Sequence, residues 1–333
     1  MKHKFRTLAA AALLATGLCG QAAAQDTTTV AIPANALLFA PLYIAADSGM
    51  WAKAGLDAKL TLVAGPGATN AVIAGSADFA STGGGSVLRA AARGQNLLAI
   101  ANTIDKLLLE MVVTKETLAK YKVAPDADFA TRVKALKGMT IAVDTVNGLP
   151  HGYLRYITKK VGMNPETDVT VTAMQPPNMM AALKSGTVDG FIFADPFTTL
   201  AVKDGGVVLI KNPADDAPEL NPFGYNLIVT RPTFCNEKPS VCTKLVAGLK
   251  QATEQMIKQP DVALATLKPR FAQIPPDVLD TAFKLIVASS SPTLAVTAEA
   301  TKNTQDYAVT AGMLAPNERI EPLTKLYTDQ FTR

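Results

Sequence analysis

The sequence predicts an α/β fold of two similar lobes, each a mixed, mostly parallel sheet flanked by helices. Short β-rich runs alternate with longer helical patterns, which is the order of strands crossed over by helices. The fragment order also repeats: Lys53-Ala-Gly55-Leu56 is echoed by Lys160-Val-Gly162-Met163, and Gly75-Ser-Ala-Asp78 by Gly186-Thr-Val-Asp189. Finally, 333 residues at 48% hydrophobic and 18% charged suit two domains and exclude disordered, collagenous and coiled-coil chains.

The chain opens with Met-Lys-His-Lys-Phe-Arg, an apolar run from Leu8 to Leu18, and then Ala22-Ala23-Ala24. These are the charged, apolar and small-residue parts of an export signal, with cleavage expected before Gln25. The run is too short to span a bilayer as a helix. Thr16-Gly17-Leu18 before Cys19 does not follow the order of a lipidation signal, so simple cleavage is favoured over lipid attachment. Loss of Lys2, Lys4 and Arg6 takes the formal charge from +4 to +1. A nearly neutral chain offers no basic stripe for nucleic acid and no attraction to a membrane surface. No later apolar run reaches the roughly 18 residues of a spanning helix.

In the first lobe, strands are expected over 29–32, 59–63, 78–81 and 97–101. Helices are expected over 41–54, 68–74 and 86–92, stopped by Gly55, Gly75 and Gly94 as C′ residues. A bridging strand over 111–114 leads to the second lobe. There the strands are 139–143, 169–172, 191–193 and 207–210, and the helices 149–161 and 178–184 end at Gly162 and Gly186. Beyond a strand over 225–230 the pattern turns helical, near 241–257, 260–267, 276–288 and 297–311. A tail this helical needs a surface to pack on, and the simplest arrangement returns it to the first lobe. The expected organisation is a signal over 1–24, the first lobe over 25–107 and again over 216–333, and the second lobe over 108–215. Hinges are expected near 103–109 and 213–223. The cleft between the lobes, beyond the carboxyl ends of the strands, becomes the site.

Without Cys19 the chain keeps Cys235 and Cys242, an even pair in an exported protein, and a local disulfide is the natural reading. On the chain-entropy model it stabilises by about 2–3 kcal/mol. Two free thiols are the alternative; a metal site would need further ligands nearby.

The run Phe39-Ala-Pro-Leu-Tyr-Ile-Ala-Ala-Asp-Ser-Gly-Met-Trp-Ala-Lys-Ala-Gly-Leu56 resembles the opening of NMT1/THI5-like and sulfonate/taurine/nitrate-type solute-binding proteins of ABC importers. Ala74-Gly-Ser-Ala-Asp-Phe-Ala80, Leu136-Lys-Gly-Met-Thr-Ile-Ala-Val143 and Ala182-Leu-Lys-Ser-Gly-Thr-Val-Asp189 continue the resemblance in family order, from about Val30 to the C-terminal helices. It implies a type II periplasmic binding fold of the Venus-flytrap kind. It also implies a soluble carrier that closes on a small molecule and delivers it to the permease subunits of an ABC transporter; a periplasmic monomer is expected.

Several loops are placed to meet that molecule. Thr82-Gly-Gly-Gly-Ser86 follows a strand and opens a helix, so the N–H groups of Gly84 and Gly85, with Ser86 as N-cap or donor, suit an anion or carbonyl oxygen. Tight turning under a packed helix is the ordinary alternative for each glycine. Thr69 follows Gly65-Pro-Gly, and Asn147-Gly148-Leu-Pro-His151 takes the corresponding place in the second lobe. No phosphate-binding P-loop or dinucleotide fingerprint is present in these loops. His151, the only histidine once His3 is lost, either donates to ligand or caps a helix; alone it excludes a His-rich metal site, and no nucleophile elbow accompanies it. Asp195 suits an ammonium, an amidine or a heterocycle N–H, or else caps a helix with Pro196 at N1. Phe39 faces ligand or staples its helix. Gln175 opens another helix beside the cleft.

The resulting expectation is a receptor without cofactor or catalysis that captures a small organic anion, a sulfonate or carboxylate, on neutral donors. Asp195 leaves open a zwitterion or a neutral or cationic heterocycle such as a pyrimidine or thiamine precursor. A pyrimidine-synthase-like enzyme on the same fold is disfavoured by export and by the absence of that family's Cys-rich motif. A secreted sensor or adhesion module is a further alternative.

Overall fold

The computed structural model describes residues 25–333. The expected export signal, with Cys19, lies outside the described residues. No helix among the described residues is long and apolar enough to cross a membrane.

The first stretch of chain runs β1 (Asp26–Ile32), α1 (Ala40–Asp47), α2 (Met50–Lys53), β2 (Leu56–Leu62), α3 (Gly67–Ile73), β3 (Phe79–Thr82), α4 (Gly84–Ala92) and β4 (Leu98–Ile104). The second runs β5 (Glu110–Val113), α5 (Lys115–Lys120), α6 (Phe129–Lys134), β6 (Thr140–Val143), α7 (Leu149–Lys160), α8 (Pro165–Asp168), β7 (Thr170–Ala173), α9 (Pro176–Ser185), β8 (Gly190–Phe193), α10 (Phe197–Lys203), β9 (Val207–Ile210) and α11 (Pro213–Asp216). The last runs β10 (Asn226–Thr230), α12 (Phe234–Glu237), α13 (Pro239–Lys258), α14 (Pro260–Leu267), α15 (Pro276–Ser289) and α16 (Ala298–Thr310).

Two five-stranded sheets result, in the orders β2-β1-β3-β10-β4 and β7-β6-β8-β5-β9. Within each, the first three strands are parallel, so helices must cross between them. Each sheet's fourth strand is antiparallel to both neighbours: β10 against β3 and β4, β5 against β8 and β9. In both sheets that strand is the one that follows a crossing of the chain, so the sheets are two copies of one plan with exchanged fourth strands.

The glycines that end the expected helices, Gly55, Gly75, Gly94, Gly162 and Gly186, all take left-handed φ. The expected helix over 41–54 is in fact two, because Gly49 also turns left-handed at φ 67°. That break tucks Trp51 beneath the long α13, where its indole N–H donates to the Leu245 carbonyl at 2.9 Å. Helices α5, α6 and α10 were not expected. The first two start at side-chain caps, Thr114 accepting from the Thr117 N–H and Asp128 from the Thr131 N–H. All three are six or seven residues long, too short for apolar periodicity to register.

α13 turns an apolar stripe inward, with Val241, Leu245, Val246, Leu249, Ala252 and Met256 buried at helical spacing against α1 and its neighbours. Cys235 and Cys242 form a disulfide across α12 and α13, their Cα atoms 5.7 Å apart. The two crossings of the chain lie side by side. The Phe223 N–H donates to the Asp105 carbonyl at 2.6 Å, the Leu107 N–H to Asn221 Oδ1 at 3.1 Å, and the Asn102 amide to the Phe223 carbonyl at 3.0 Å. The buried Arg132 guanidinium grips Asp216 bidentately at 2.6 and 2.7 Å and anchors the start of the second crossing to α6.

Candidate ligand-binding site

In the first sheet β3 delivers the glycine loop. The Thr82 and Thr69 hydroxyls lie 3.0 Å apart and tie β3 to α3. The N–H of Gly84 is taken by the Gly224 carbonyl at 2.8 Å, and a Cβ there would meet Thr304 Cγ2 at 2.8 Å. Gly84 is therefore a close-packing glycine. Ser86 is not the N-cap of α4: Gly83 holds that position without a side-chain bond, and Ser86 lies a turn further in, its N–H on the Gly83 carbonyl. The helix begins early because three small residues let it start against Gly224. Gly85 faces outward toward Arg89 and Met313.

In the second sheet β6 leads through Asp144 to α7. Asn147 takes a left-handed φ of 62°. Its N–H donates to His151 Nδ1 at 3.0 Å, and its side-chain oxygen accepts from Arg155 at 2.7 Å. Gly148 is the N-cap of α7. His151 is 5% exposed. Burial, reinforced by the Arg155 charge, holds its pKa below the usual imidazole value, so the ring stays neutral and Nδ1 remains an acceptor for Asn147. The histidine thus shapes the loop, and with Pro150 next to it the start of α7 spends few N–H groups on a guest.

These two loops flank a cavity of about 350 Å³ lined by Arg89, Asn147, Arg155, Lys159, Glu166 and Met313. Arg155 is paired with Glu166 at 2.8 Å, and Lys159 donates to the Thr310 carbonyl at 2.8 Å. Arg89 reaches only Ser86 Oγ, at 3.3 Å, and among the described residues it has no carboxylate partner. Burial, then the neighbouring Arg93 charge, pulls its pKa down. Three cations against one carboxylate leave the cavity positive, a setting that draws in an oxyanion. The expectation of neutral donors missed these groups because it stopped at the loops. The spacing itself carried the signal: Arg89 is three residues past Ser86, and Arg155 and Lys159 are four and eight past His151, each on the same helix face.

The remaining expected residues stand apart from this cavity. Phe39 is 4% exposed and enclosed in the main core. Gln175 is exposed at the N-cap of α9 and makes no capping bond. Asp195 caps its helix: Oδ1 accepts from the Thr199 N–H at 3.0 Å and from the Thr198 and Thr199 hydroxyls at 2.8 and 2.6 Å. Pro196 is the N-cap of α10 rather than its first residue. Near it, Glu110 on β5 is pushed up to about 7 by burial and by the Asp195 charge. Tyr225, whose hydroxyl donates to the Leu108 carbonyl at 3.2 Å, feels the charges of both Asp144 and Asp195.

Comparison with known proteins is consistent in kind. A family model described as NMT1/THI5 like matches residues 37–263. A putative aliphatic sulfonates-binding protein of Escherichia coli K12 is 26% identical over 204 residues, which is 61% of this chain and 59% of that protein. The chain thus spans about three-fifths or less of the first curated relatives it matches. Among solved structures, the periplasmic aliphatic sulphonate binding protein SsuA from Escherichia coli superposes with a TM-score of 0.69 at 19% identity, covering 88% of this chain and 87% of its own. The periplasmic nitrate-binding protein NrtA from Synechocystis PCC 6803 superposes with a TM-score of 0.68 at 16% identity, covering 92% and 86%. Both have the type II periplasmic binding fold, and two mixed sheets of five strands flanked by helices place this chain in it.

Proposed function

This chain belongs to the NMT1/THI5-like family, and we propose on that footing that it is the periplasmic solute-binding component of an ABC importer. It captures a small organic anion, a sulfonate or carboxylate, between its lobes and hands it to permease subunits. The first lobe comprises 25–107 and 216–333, the second 108–215, and the protein works as an exported monomer after cleavage before Gln25. The relatives named as aliphatic sulfonate- and nitrate-binding proteins support the class of ligand.

The observation that carries the reading is the positive cavity between α4 and α7, with Arg89 held half-buried and lacking a carboxylate. An oxyanion there contacts both lobes at once and so favours the closed form by the difference in contacts. Asn147 lines the same cavity, and Ser86 Oγ accepts from the Arg89 guanidinium beside it. No reaction is required, and relatives named as binding proteins support a receptor rather than a synthase.

A thermal-shift screen of the exported protein tests this, because a ligand that binds the folded state raises stability by mass action. Saturable upward shifts are expected with alkanesulfonates or carboxylates. Shifts confined to cationic or uncharged compounds would overturn the anion reading and leave the receptor role standing.

A further inference from the structure

The two proposed lobes also meet on a second flank. There α10 of the second lobe lies against α15, which packs on α13 and α14 of the first. Lys203 and Asp277 pair across the exposed rim of this seam. Within it is a recess of about 10 Å³, room for no more than about one water, lined by Leu108, Glu110, Asp195, Thr198, Asn212 and, from α15, Leu285. Two carboxyl groups share it: Glu110 opens β5 opposite Phe193, and Asp195 follows β8. The buried Thr198 hydroxyl gives its single proton to Asp195 Oδ1 at 2.8 Å, so it can meet Glu110 only as an acceptor. A protonated Glu110 has a proton to offer it, and a carboxylate has none. Among the described residues, the charges acting on Glu110 are those of Asp195 and of Asp215 on α11, both negative. The cations along the seam are engaged elsewhere, Lys106 on the Ala288 carbonyl, Lys203 on Asp277 and Lys284 on Asp280. Water is what would favour the carboxylate, and Leu285 closes the recess against it.

We infer that Glu110 is a proton-operated clasp on the seam between α10 and α15, holding the lobes together there when protonated and letting water part them when ionised. The inference goes beyond the proposed receptor role and rests only on its division into lobes. Because α15 packs on first-lobe helices, the seam is a contact that must give when one lobe moves against the other. Parting it returns Glu110 to water and to the ordinary carboxyl range. In the shut seam, burial and the Asp195 charge push its pKa from 4.5 up to about 7. The proton therefore stabilises the shut seam fully below pH 4.5, and that stabilisation is lost as pH rises through about 7.

The test is a spin-label distance measurement on the exported protein without ligand, the native disulfide kept closed. Labels are carried by Val202→Cys on α10 and Thr281→Cys on α15, both exposed positions. Between about pH 5.5 and about pH 8 the ratio of parted to shut seams is expected to rise about 10-fold or more. Glu110→Gln, which stays neutral and keeps N–H groups to offer Thr198, is expected to remain shut at both. Should that variant fail to fold, Leu285→Ala, which wets the recess from the other side, is expected to flatten the same response. A distance distribution that does not change with pH would overturn the inference. So would a Glu110→Gln variant with the parent's response, which would pass the titration to His151 or another group. Neither result touches the anion reading, since no ligand is present and the thermal-shift screen decides that separately.

Discussion

The Tyr307 hydroxyl on α16 donates to the Leu149 carbonyl at the first turn of α7, at 2.7 Å, so the C-terminal region holds the loop 144–148 in place from behind. The approach depends on Gly152, where a Cβ would meet Met313 Sδ at 2.5 Å and the Tyr307 hydroxyl at 2.8 Å.

Gly152→Ala therefore sets two effects against each other. The helix gains about 1 kcal/mol of propensity, whereas overpacking against a buried tyrosine costs about 1–3 kcal/mol. A lower melting temperature and weaker ligand binding are expected in calorimetry, because the displaced groups support the cavity wall. A variant more stable than the parent would mean that Tyr307 and Met313 move aside freely.

Arg89→Gln removes a cavity cation that has no carboxylate partner among the described residues and only a 3.3 Å contact to Ser86 Oγ. Ligand affinity is expected to fall by about 10-fold or more, in keeping with loss of a charge-assisted bond, and to lose part of its salt dependence. Stability is expected to hold or rise slightly, since no ion pair is broken. Titrations at two ionic strengths check the first point and urea unfolding the second; a stability loss without an affinity loss would assign Arg89 to packing.

Glu110 gives a pH signature. Its carboxyl is pushed from 4.5 up to about 7, first by burial and then by the Asp195 charge, so the folded protein favours the protonated form. That contribution is fully present below pH 4.5 and is lost as pH rises through about 7. Glu110→Gln is expected to stabilise the protein near pH 8 by on the order of 1–3 kcal/mol and to change little near pH 4.5. His151 acts oppositely: its depressed pKa gives stability that is present above the usual imidazole value and lost as pH falls toward the folded one. Denaturant melts of parent and variant across this range isolate Glu110 by difference, and parallel profiles would contradict the assignment.

Reduction of Cys235–Cys242, or its replacement by serines, is expected to lower stability by about 2–3 kcal/mol through the small loop it closes. Ligand affinity is expected to stay unchanged, because the bridge joins α12 to α13 and touches none of the cavity residues. Chemical unfolding with and without reductant, followed by ligand titration, reads both.

Much of the fold was legible because helix ends were written in glycine: Gly55, Gly75, Gly94, Gly162 and Gly186 stop helices and take the φ expected of them. The Ser48-Gly49 break was hidden because the apolar spacing of 41–54 continues across it. The site was legible to the level of loops and no further. Gly84 and His151 stand where loops meet helices, yet backbone packing and a local hydrogen bond employ them. The groups that set the charge lie deeper in α4 and α7, where Arg and Lys ordinarily face water.

The exchanged fourth strands also set an order of assembly. Every strand of the second sheet lies between Glu110 and Ile210, whereas β3 and β4 of the first cannot be joined until Asn226–Thr230 is slotted between them. On a chain emerging from the ribosome, the lobe that begins first must finish last, and its half-built sheet waits with open edges while the later lobe completes.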